Sequence, residues 1–152
     1  MGPRMKQPAA ILPGAFEAMM GLARAVEHGR LPPALKTMVD LRASQINGCT
    51  FCVDMHAKEL KEAGESDERI FAVSAWRDAP FYSDQERAAL ALTEAVTRLA
   101  DKGDSVPDEL WAEVSPHFDE KGLAALLLAI ATINVWNRLN VPTRQLPGKP
   151  PL

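Results

Sequence analysis

The sequence predicts an all-α fold, a single-domain bundle of six or seven helices. No segment alternates apolar and polar residues for long enough to indicate a β-strand, whereas apolar residues recur at helical spacing through most of the chain. A length of 152 residues fits one domain with a sizeable core. Hydrophobic residues make up 47% of the chain and charged residues 24%, which is typical of a soluble globular protein.

Proline and glycine divide the first half of the chain into three predicted helices. Proline is favoured in the first turn of a helix, and glycine is favoured just after its end, where the backbone turns left-handed. The helices are therefore expected between Pro13 and Gly29, between Pro32 and Gly48, and from Cys49 to Ala63.

Capping residues mark the helices of the second half. Serine and aspartate accept hydrogen bonds from the first backbone N–H groups of a helix, and a glutamate three residues later completes a capping box. These signals predict a helix capped by Ser66 and interrupted at Pro80, one from the Ser83–Glu86 box to Leu99, a short one over 108–114, and a long last one from Asp119 to about Leu139.

The two ends of the chain are expected to lie outside the bundle. We predict a flexible lead-in over residues 1–12, the helical domain over 13–141 and a proline-rich tail over 142–152. The lead-in lacks the apolar core of a secretory signal, so we expect a cytoplasmic protein. The apolar run 122–133 is shorter than the roughly 20 residues that span a bilayer. It predicts a helix buried from several sides, in part by a second copy of the chain.

The charge balance argues against nucleic acid as a partner. The net charge is -3 and the isoelectric point is about 5.6, with a mean hydropathy of -0.13. Such a chain lacks the concentrated positive charge that gathers phosphates.

Two cysteines and a histidine form the candidate site. Cys49 and Cys52 are the only cysteines, and in a chain without export signals a structural disulfide would be kept reduced. At about 100° per residue, Cys49, Cys52 and His56 share one face of the third helix, beginning at its N-terminus. Unpaired N–H groups there favour a thiolate, and an imidazole one turn along can accept the thiol proton. This pattern indicates a redox-active dithiol without a bound cofactor.

The two sulfurs are expected to have different roles. Cys49 is nearer the helix end, but Cys52 has His56 at i+4, and we weigh a direct proton acceptor above a diffuse dipole. Cys52 is therefore the expected attacking thiol. Its sulfenic acid would condense with Cys49 to form a disulfide. Glu59, at i+3 from His56, is either an orienting partner of the ring or a surface glutamate.

Alternative interpretations remain open at this stage. Cys49, Cys52 and His56 are also zinc ligands, but a structural zinc site needs a fourth ligand, for which only His28 and His117 remain. A c-type haem site is excluded because Val53 follows the second cysteine. The three tryptophans are interpreted as core or interface residues and are assigned no chemistry: Trp76, Trp111 and Trp136.

At these residues the sequence resembles the alkylhydroperoxidase D-like proteins of the carboxymuconolactone decarboxylase superfamily. The likeness covers about Leu35 to Leu139. It rests on the segment Leu41–Cys49, on Cys52 and His56, on Ala75-Trp76-Arg77 with Ala79-Pro80-Phe81, on Glu86-Arg87-Ala88 and on Trp136-Asn137-Arg138.

The resemblance implies a helical subunit that assembles into trimers, hexamers or dimers, and a peroxidase that reduces hydroperoxides with a dithiol. The attacking cysteine of the family matches Cys52, its resolving cysteine matches Cys49 and its relay histidine matches His56. The electron donor implied is a lipoyl-bearing protein or another dithiol, such as a thioredoxin-like protein.

Two departures from the family pattern concern the proton relay. The relay glutamate of the alkylhydroperoxidase branch is matched by Thr37, which carries no carboxylate, and the histidine between the cysteines is matched by Phe51. Asp40, one turn beyond Thr37, is a partial substitute that helical spacing places off the same line. A general disulfide oxidoreductase or a redox stress sensor with weak peroxidase activity is therefore the alternative function.

Overall fold

The central helix of the structure begins and ends at the residues that the sequence marks. In the computed structural model, which describes residues 2–148, Pro33 occupies the first position of this helix. Gly48 ends it in the left-handed conformation, with φ of 70°. Met1 and residues 149–152 of the predicted tail lie outside the described residues.

The described residues form helices and no strands, which confirms the predicted all-α class. The helices are α1 (Pro8–Ile11), α2 (Ala15–Glu27), α3 (Pro33–Asn47), α4 (Thr50–Glu62), α5 (Asp67–Phe71), α6 (Asp84–Thr97), α7 (Asp108–Val114) and α8 (Glu120–Thr143). Short 3-10 turns follow α5, α6 and α7. Residues 2–148 thus contain eight α-helices rather than six or seven.

Helix α3 lies at the middle of the bundle and packs against α4, α6 and α8. Leu35, Met38 and Val39 on α3 are each at most 1% exposed, so the helix contributes to the core on more than one side. One apolar cluster joins α3, α4 and α6, and a second joins α3 to α6, α7 and α8. Helix α2 covers α8 on the remaining side through Val26 and Ala129.

The helix predicted to begin at the Ser66 cap changes from α-helical to 3-10 winding part-way along its length. It is α-helical only as far as Phe71 and continues as a 3-10 helix over Ala72–Ala75. A 3-10 helix has three residues per turn. This winding places Val73 and Trp76 on the same side, where both are buried.

Helix α8 extends beyond the predicted end at Leu139 and includes Pro142 in its last turn. A proline there removes a single N–H group. The end is closed by Arg144 at φ of 55°, and the N–H of Gln145 bonds the carbonyl of Asn140 at 3.1 Å. By length and hydropathy α8 could cross a membrane. It packs instead against α2, α3 and α6, as the core helix of a soluble protein does.

The predicted flexible lead-in is wrong for residues 7–11. They include α1, and Gln7 is 0% exposed. Arg4 donates its backbone N–H to the carbonyl of Thr143 at 2.9 Å, and Gln145 donates to the carbonyl of Met5 at 3.1 Å. These long-range hydrogen bonds hold the N-terminal segment against the end of α8.

Candidate active site

The junction between α3 and α4 sets the position of the two cysteines. The N–H groups of Gly48 and Cys49 bond back to the carbonyls of Gln45 and Ser44, which is the pattern of a Schellman motif. Cys49 is therefore the last residue of this closing turn and also the N-cap of α4. Cys49 and Cys52, each 1% exposed, are joined by a disulfide. The structure thus brings the two sulfurs together as the spacing predicts.

Each sulfur accepts a hydrogen bond from a different direction. The backbone N–H of Cys52 donates to Sγ of Cys49 at 3.2 Å, which is the N-cap interaction of α4. The side-chain amide of Asn140 on α8 donates to Sγ of Cys52 at 3.4 Å. Donors of this kind stabilise a thiolate once the disulfide is reduced.

A chain of buried amides orients Asn140. The backbone N–H of Ala9 donates to Oε1 of Gln7 at 2.6 Å, which leaves the amide nitrogen of Gln7 to donate to Oδ1 of Asn140 at 2.9 Å. Because Oδ1 of Asn140 is occupied in this way, its Nδ2 is the atom that faces Cys52. The N-terminal segment therefore fixes a donor to the sulfur of Cys52.

His56 lies one turn after Cys52 and is 6% exposed. Its Nδ1 lies 2.8 Å from Oε2 of Glu59, so Glu59 is the predicted orienting partner and not an unconnected surface glutamate. The hydrogen bond from His56 lowers the pKa of Glu59 below its ordinary value, which keeps the glutamate ionised as an acceptor. With Nδ1 donating, Nε2 of a neutral ring is left as an acceptor. This Nε2 is buried and has no hydrogen-bond partner within residues 2–148.

Cys52 and His56 line one cavity of about 310 Å³, which we call the active-site cavity. Its volume lies within the range of small-molecule sites. The apolar part of the wall comes from α2, α4 and α8: Phe16, Met20, Ala23, Val26, Phe51, Met55, Ala129, Ile133 and Trp136. The polar part adds Lys36, Asp40, Glu59, Thr132 and Asn140.

Asp40 is part of this cavity and Thr37 is not, so the two residues lie on different lines of α3, as their spacing predicts. Spacing along α3 alone does not give the rotation of α3 against α4, and packing turns the Asp40 side of α3 toward the cavity. Burial raises the pKa of Asp40 above its ordinary value, although Lys36, at 2.6 Å, and His56 act in the opposite direction. Thr37 instead donates its hydroxyl to the carbonyl of Pro33 at 3.1 Å.

The three tryptophans occupy three different environments, although one interpretation was given for all of them. Trp136 lines the active-site cavity and meets the ring of Phe16 edge to face, with centroids 6.1 Å apart. Trp76 is buried and donates its indole N–H to Glu94 at 2.9 Å. Trp111 is 40% exposed. Only Trp76 fits the interpretation as a core residue.

The zinc interpretation finds no support in the geometry of the described residues. Across residues 2–148, no three side chains of His, Cys, Asp or Glu come together in a way that could hold a metal ion. His28 follows the end of α2, and His117 lies in the 3-10 turn after α7. Neither lines the active-site cavity.

Gln7, Lys36 and Asn140 are neighbours of the site that the sequence patterns did not predict. A signal existed for Asn140: Asn134, Asn137 and Asn140 recur every three residues along an otherwise apolar helix. Buried amides in such a helix require hydrogen-bond partners, and for Asn140 one of these partners is the sulfur of Cys52. For Gln7 the chain carries no local signal.

Comparison with known proteins assigns the chain to a family. The model of the carboxymuconolactone decarboxylase family matches residues 13–95, which include the end of α3 and the disulfide. The chain belongs to this family. The uncharacterized protein YdfG of Bacillus subtilis (strain 168) is 37% identical to this chain over 131 residues, which cover 86% of this chain and 88% of YdfG.

Several solved structures share the fold of this chain. The protein of unknown function ATU0492 from Agrobacterium tumefaciens, a candidate antioxidant defence protein AhpD, matches with a TM-score of 0.88 and 38% identity. The match covers 97% of this chain and 99% of ATU0492. The debrominase Bmp8 matches with a TM-score of 0.79 at 21% identity, covering 91% of this chain and 74% of Bmp8, and shows the fold alone. The protein is thus an AhpD-like member of the carboxymuconolactone decarboxylase superfamily.

Proposed function

We propose that this protein is a thiol-dependent peroxidase that reduces organic hydroperoxides through a Cys49–Cys52 dithiol–disulfide cycle. One observation carries the proposal: Cys52 and His56 line the same largely apolar cavity, and Cys52 is already bonded to a second cysteine. The Nε2 of His56 is buried without a hydrogen-bond partner among residues 2–148. A largely apolar cavity on which a few polar groups converge is the usual form of a small-molecule site.

The oxidative half of the cycle follows from this arrangement. The Cys52 thiolate attacks the outer oxygen of the hydroperoxide, the O–O bond breaks, and the alkoxide takes a proton and leaves as an alcohol. His56 accepts the thiol proton at Nε2 and supplies a proton to the alkoxide. The Cys49 thiol then loses its proton and attacks the sulfenic sulfur of Cys52, and the S–O bond breaks; the leaving hydroxide takes up a proton and departs as water. The two thiols are oxidised and the peroxide is reduced by two electrons.

Asp40 is proposed as a second proton source in place of the carboxylate that Thr37 lacks. Its pKa is raised by burial, so it holds a proton more readily than an ordinary aspartate. It lines the same cavity as His56. The site therefore contains a carboxyl group, although Thr37 stands where the alkylhydroperoxidase branch has a glutamate.

The assignment of the attacking role to Cys52 rests on access to the cavity. The backbone N–H at the start of α4 favours Cys49 as a thiolate, whereas the amide of Asn140 favours Cys52. Of the two cysteines, only Cys52 lines the active-site cavity with His56. A hydroperoxide bound in that cavity meets Cys52.

Peroxide consumption by the reduced protein tests the proposed function. With cumene hydroperoxide, pre-reduced wild-type protein should form one disulfide per equivalent of peroxide and should turn over when dithiothreitol is added. His56→Asn should slow disulfide formation about 100-fold, the lower end of what general bases contribute. The matched variant His117→Asn, away from the cavity, should retain the wild-type rate.

The same experiment separates the alternative function. If peroxide is consumed no faster than by free cysteine while insulin disulfides are reduced efficiently, then the protein is a disulfide oxidoreductase and the peroxidase proposal is wrong. Failure of both reactions would reject redox catalysis by this site.

Two broader features accompany the proposal. The first is location in the cytoplasm, where a reducing environment would return Cys49 and Cys52 to thiols after each cycle.

The second is association of copies of the chain through α8. We propose it because Ala131 and Val135 on the outward side of this helix are exposed although the helix is strongly apolar. Sedimentation of the purified protein would show a monomer if this association is absent.

A further inference from the structure

The two cysteines of the disulfide line different depressions of the molecule. Cys52 lines the active-site cavity, and Cys49 does not. Cys49 lines a second depression of about 290 Å³, which Cys52 does not line and which we call the Cys49 groove. Its wall comes from the junction of α3 and α4, from the end of α8 with the residues that follow it, and from Gly2; it includes Phe51, Asn140 and Val141.

Phe51 and Asn140 separate the two spaces. Both residues line the active-site cavity and also the Cys49 groove. Phe51 lies between the two cysteines in the chain, and Asn140 donates to the sulfur of Cys52 at 3.4 Å. The disulfide therefore crosses the boundary between two spaces, with one cysteine on each.

We infer that the electron donor, a dithiol, reaches the disulfide through the Cys49 groove and attacks Cys49, while the hydroperoxide uses the active-site cavity. This inference rests on the proposed function, since it assigns the second half of the same cycle. A donor that enters by the groove need not displace the alcohol from the active-site cavity. Oxidation and reduction then use separate approaches to one S–S bond.

The reductive step balances with a dithiol as the donor. A donor thiolate attacks Sγ of Cys49, the Cys49–Cys52 bond breaks, and Cys52 leaves as a thiolate. The second donor thiol, after losing its proton to solvent, attacks the donor sulfur of the mixed disulfide and releases the Cys49 thiolate. The donor leaves as a cyclic or intramolecular disulfide, and two electrons pass to the protein.

The surroundings of Cys52 favour it as the leaving sulfur. Exchange is faster when the leaving thiolate is stabilised. The amide of Asn140 donates to Cys52, and His56 is one turn away in the same cavity. Attack on Cys49 also restores the Cys52 thiolate in the active-site cavity, where the next hydroperoxide binds.

The site of attack is measured with a monothiol that stops at the mixed disulfide. Oxidised wild-type protein is treated briefly with 2-mercaptoethanol, quenched with acid and alkylated, and the cysteine that carries the adduct is identified by mass spectrometry of its peptides. The adduct should lie on Cys49, with Cys52 alkylated. An adduct mainly on Cys52 overturns the inference.

A bulky substitution in the groove provides a second test. Val141 lines the Cys49 groove, whereas Leu22 on α2 lines neither space, and the two are 41% and 40% exposed. Val141→Trp should slow reduction of the disulfide by dithiothreitol about tenfold relative to oxidation of the reduced protein by cumene hydroperoxide, because a displaced reactant loses its reactive geometry. Leu22→Trp should leave this ratio at its wild-type value. Equal ratios in the two variants overturn the inference.

The two proposals fail in different ways. Adduct mapping and dithiothreitol reduction need no peroxide, so they report on the groove even if the protein does not consume hydroperoxides. Conversely, the protein could be oxidised rapidly by peroxide while the monothiol attacks Cys52. That result would support the proposed peroxidase function and would reject the inference that the donor reaches Cys49 through the Cys49 groove.

Discussion

Replacing Asn140 with alanine should reduce the fraction of Cys52 that is ionised at neutral pH. The side-chain amide of Asn140 donates to Sγ of Cys52 at 3.4 Å, and its orientation is set by Gln7. Since the thiolate is charged and the thiol is not, the hydrogen bond stabilises the ionised form more strongly. Its removal therefore acts on the reactive form of the sulfur.

The size of the effect follows from the kind of hydrogen bond. Hydrogen bonds to charged groups contribute about 1.5–3 kcal/mol, and we take about 1.5 kcal/mol for a sulfur acceptor. That free energy corresponds to about a tenfold fall in the fraction of Cys52 that is present as thiolate, at a fixed pH below the midpoint of its ionisation. The variant also leaves the amide nitrogen of Gln7 without its acceptor, which should cost about 1–3 kcal/mol of unfolding free energy.

The assay uses Cys49→Ser as the background, so that Cys52 remains a free thiol. Ionisation is followed by the ultraviolet absorbance of the thiolate and by the rate of alkylation as a function of pH. Asn134→Ala in the same background is the matched control, because Asn134 is on α8 and its side chain bonds Thr97 and Asn47 rather than either cysteine. An ionisation curve for Asn140→Ala that coincides with that of the control would refute the role of the amide.

Three further predictions concern the relay and the scaffold. In the folded state the pKa of Asp40 is raised above its ordinary value. Just above the ordinary aspartate pKa, the folded protein therefore binds more protons than the unfolded chain, and its unfolding free energy falls as the pH rises through that range. Asp40→Asn should therefore increase the unfolding free energy at pH 7 while slowing peroxide reduction; lower stability at pH 7 would contradict it. Gly29→Ala should destabilise by about 1–3 kcal/mol, because a Cβ there would lie 2.1 Å from that of Ala125. Gly21→Ala, whose Cβ would lie at an ordinary contact distance of 3.8 Å from Nη2 of Arg24, should stabilise in the same urea titration. Ser83→Ala removes the cap of α6 and should cost about 1 kcal/mol by chemical denaturation; no loss would show that the capping box is dispensable.

Local signals in the sequence predicted most of the fold. The helix expected over 108–114 is α7, and the capping box at Ser83 begins α6. Such features depend on residues within one turn, where side chains compete for backbone groups in a known way. The proximity of Cys49 and Cys52 is equally local, because the N-cap position of Cys49 places its side chain against the backbone N–H of Cys52.

The features that the sequence did not predict depend on contacts between segments that are distant along the chain. Gln7 meets Asn140 across 133 positions of the chain, and no local pattern at a proline-rich start predicts that contact. Asp40 enters the cavity through the rotation of α3 against α4, which side-chain packing decides. The extension of α8 through Pro142 depends on its closing turn and on the N-terminal segment that bonds to it.

The first sulfur to be oxidised by a hydroperoxide can be identified in single-cysteine variants. Reduced Cys49→Ser and Cys52→Ser proteins are each mixed with one equivalent of cumene hydroperoxide and a reagent that traps sulfenic acids, and the adducts are located and timed by mass spectrometry. We expect rapid trapping on Cys52 in Cys49→Ser and slow or no trapping on Cys49 in Cys52→Ser. Faster trapping on Cys49 would contradict the assignment of Cys52, in the active-site cavity, as the sulfur that attacks the peroxide.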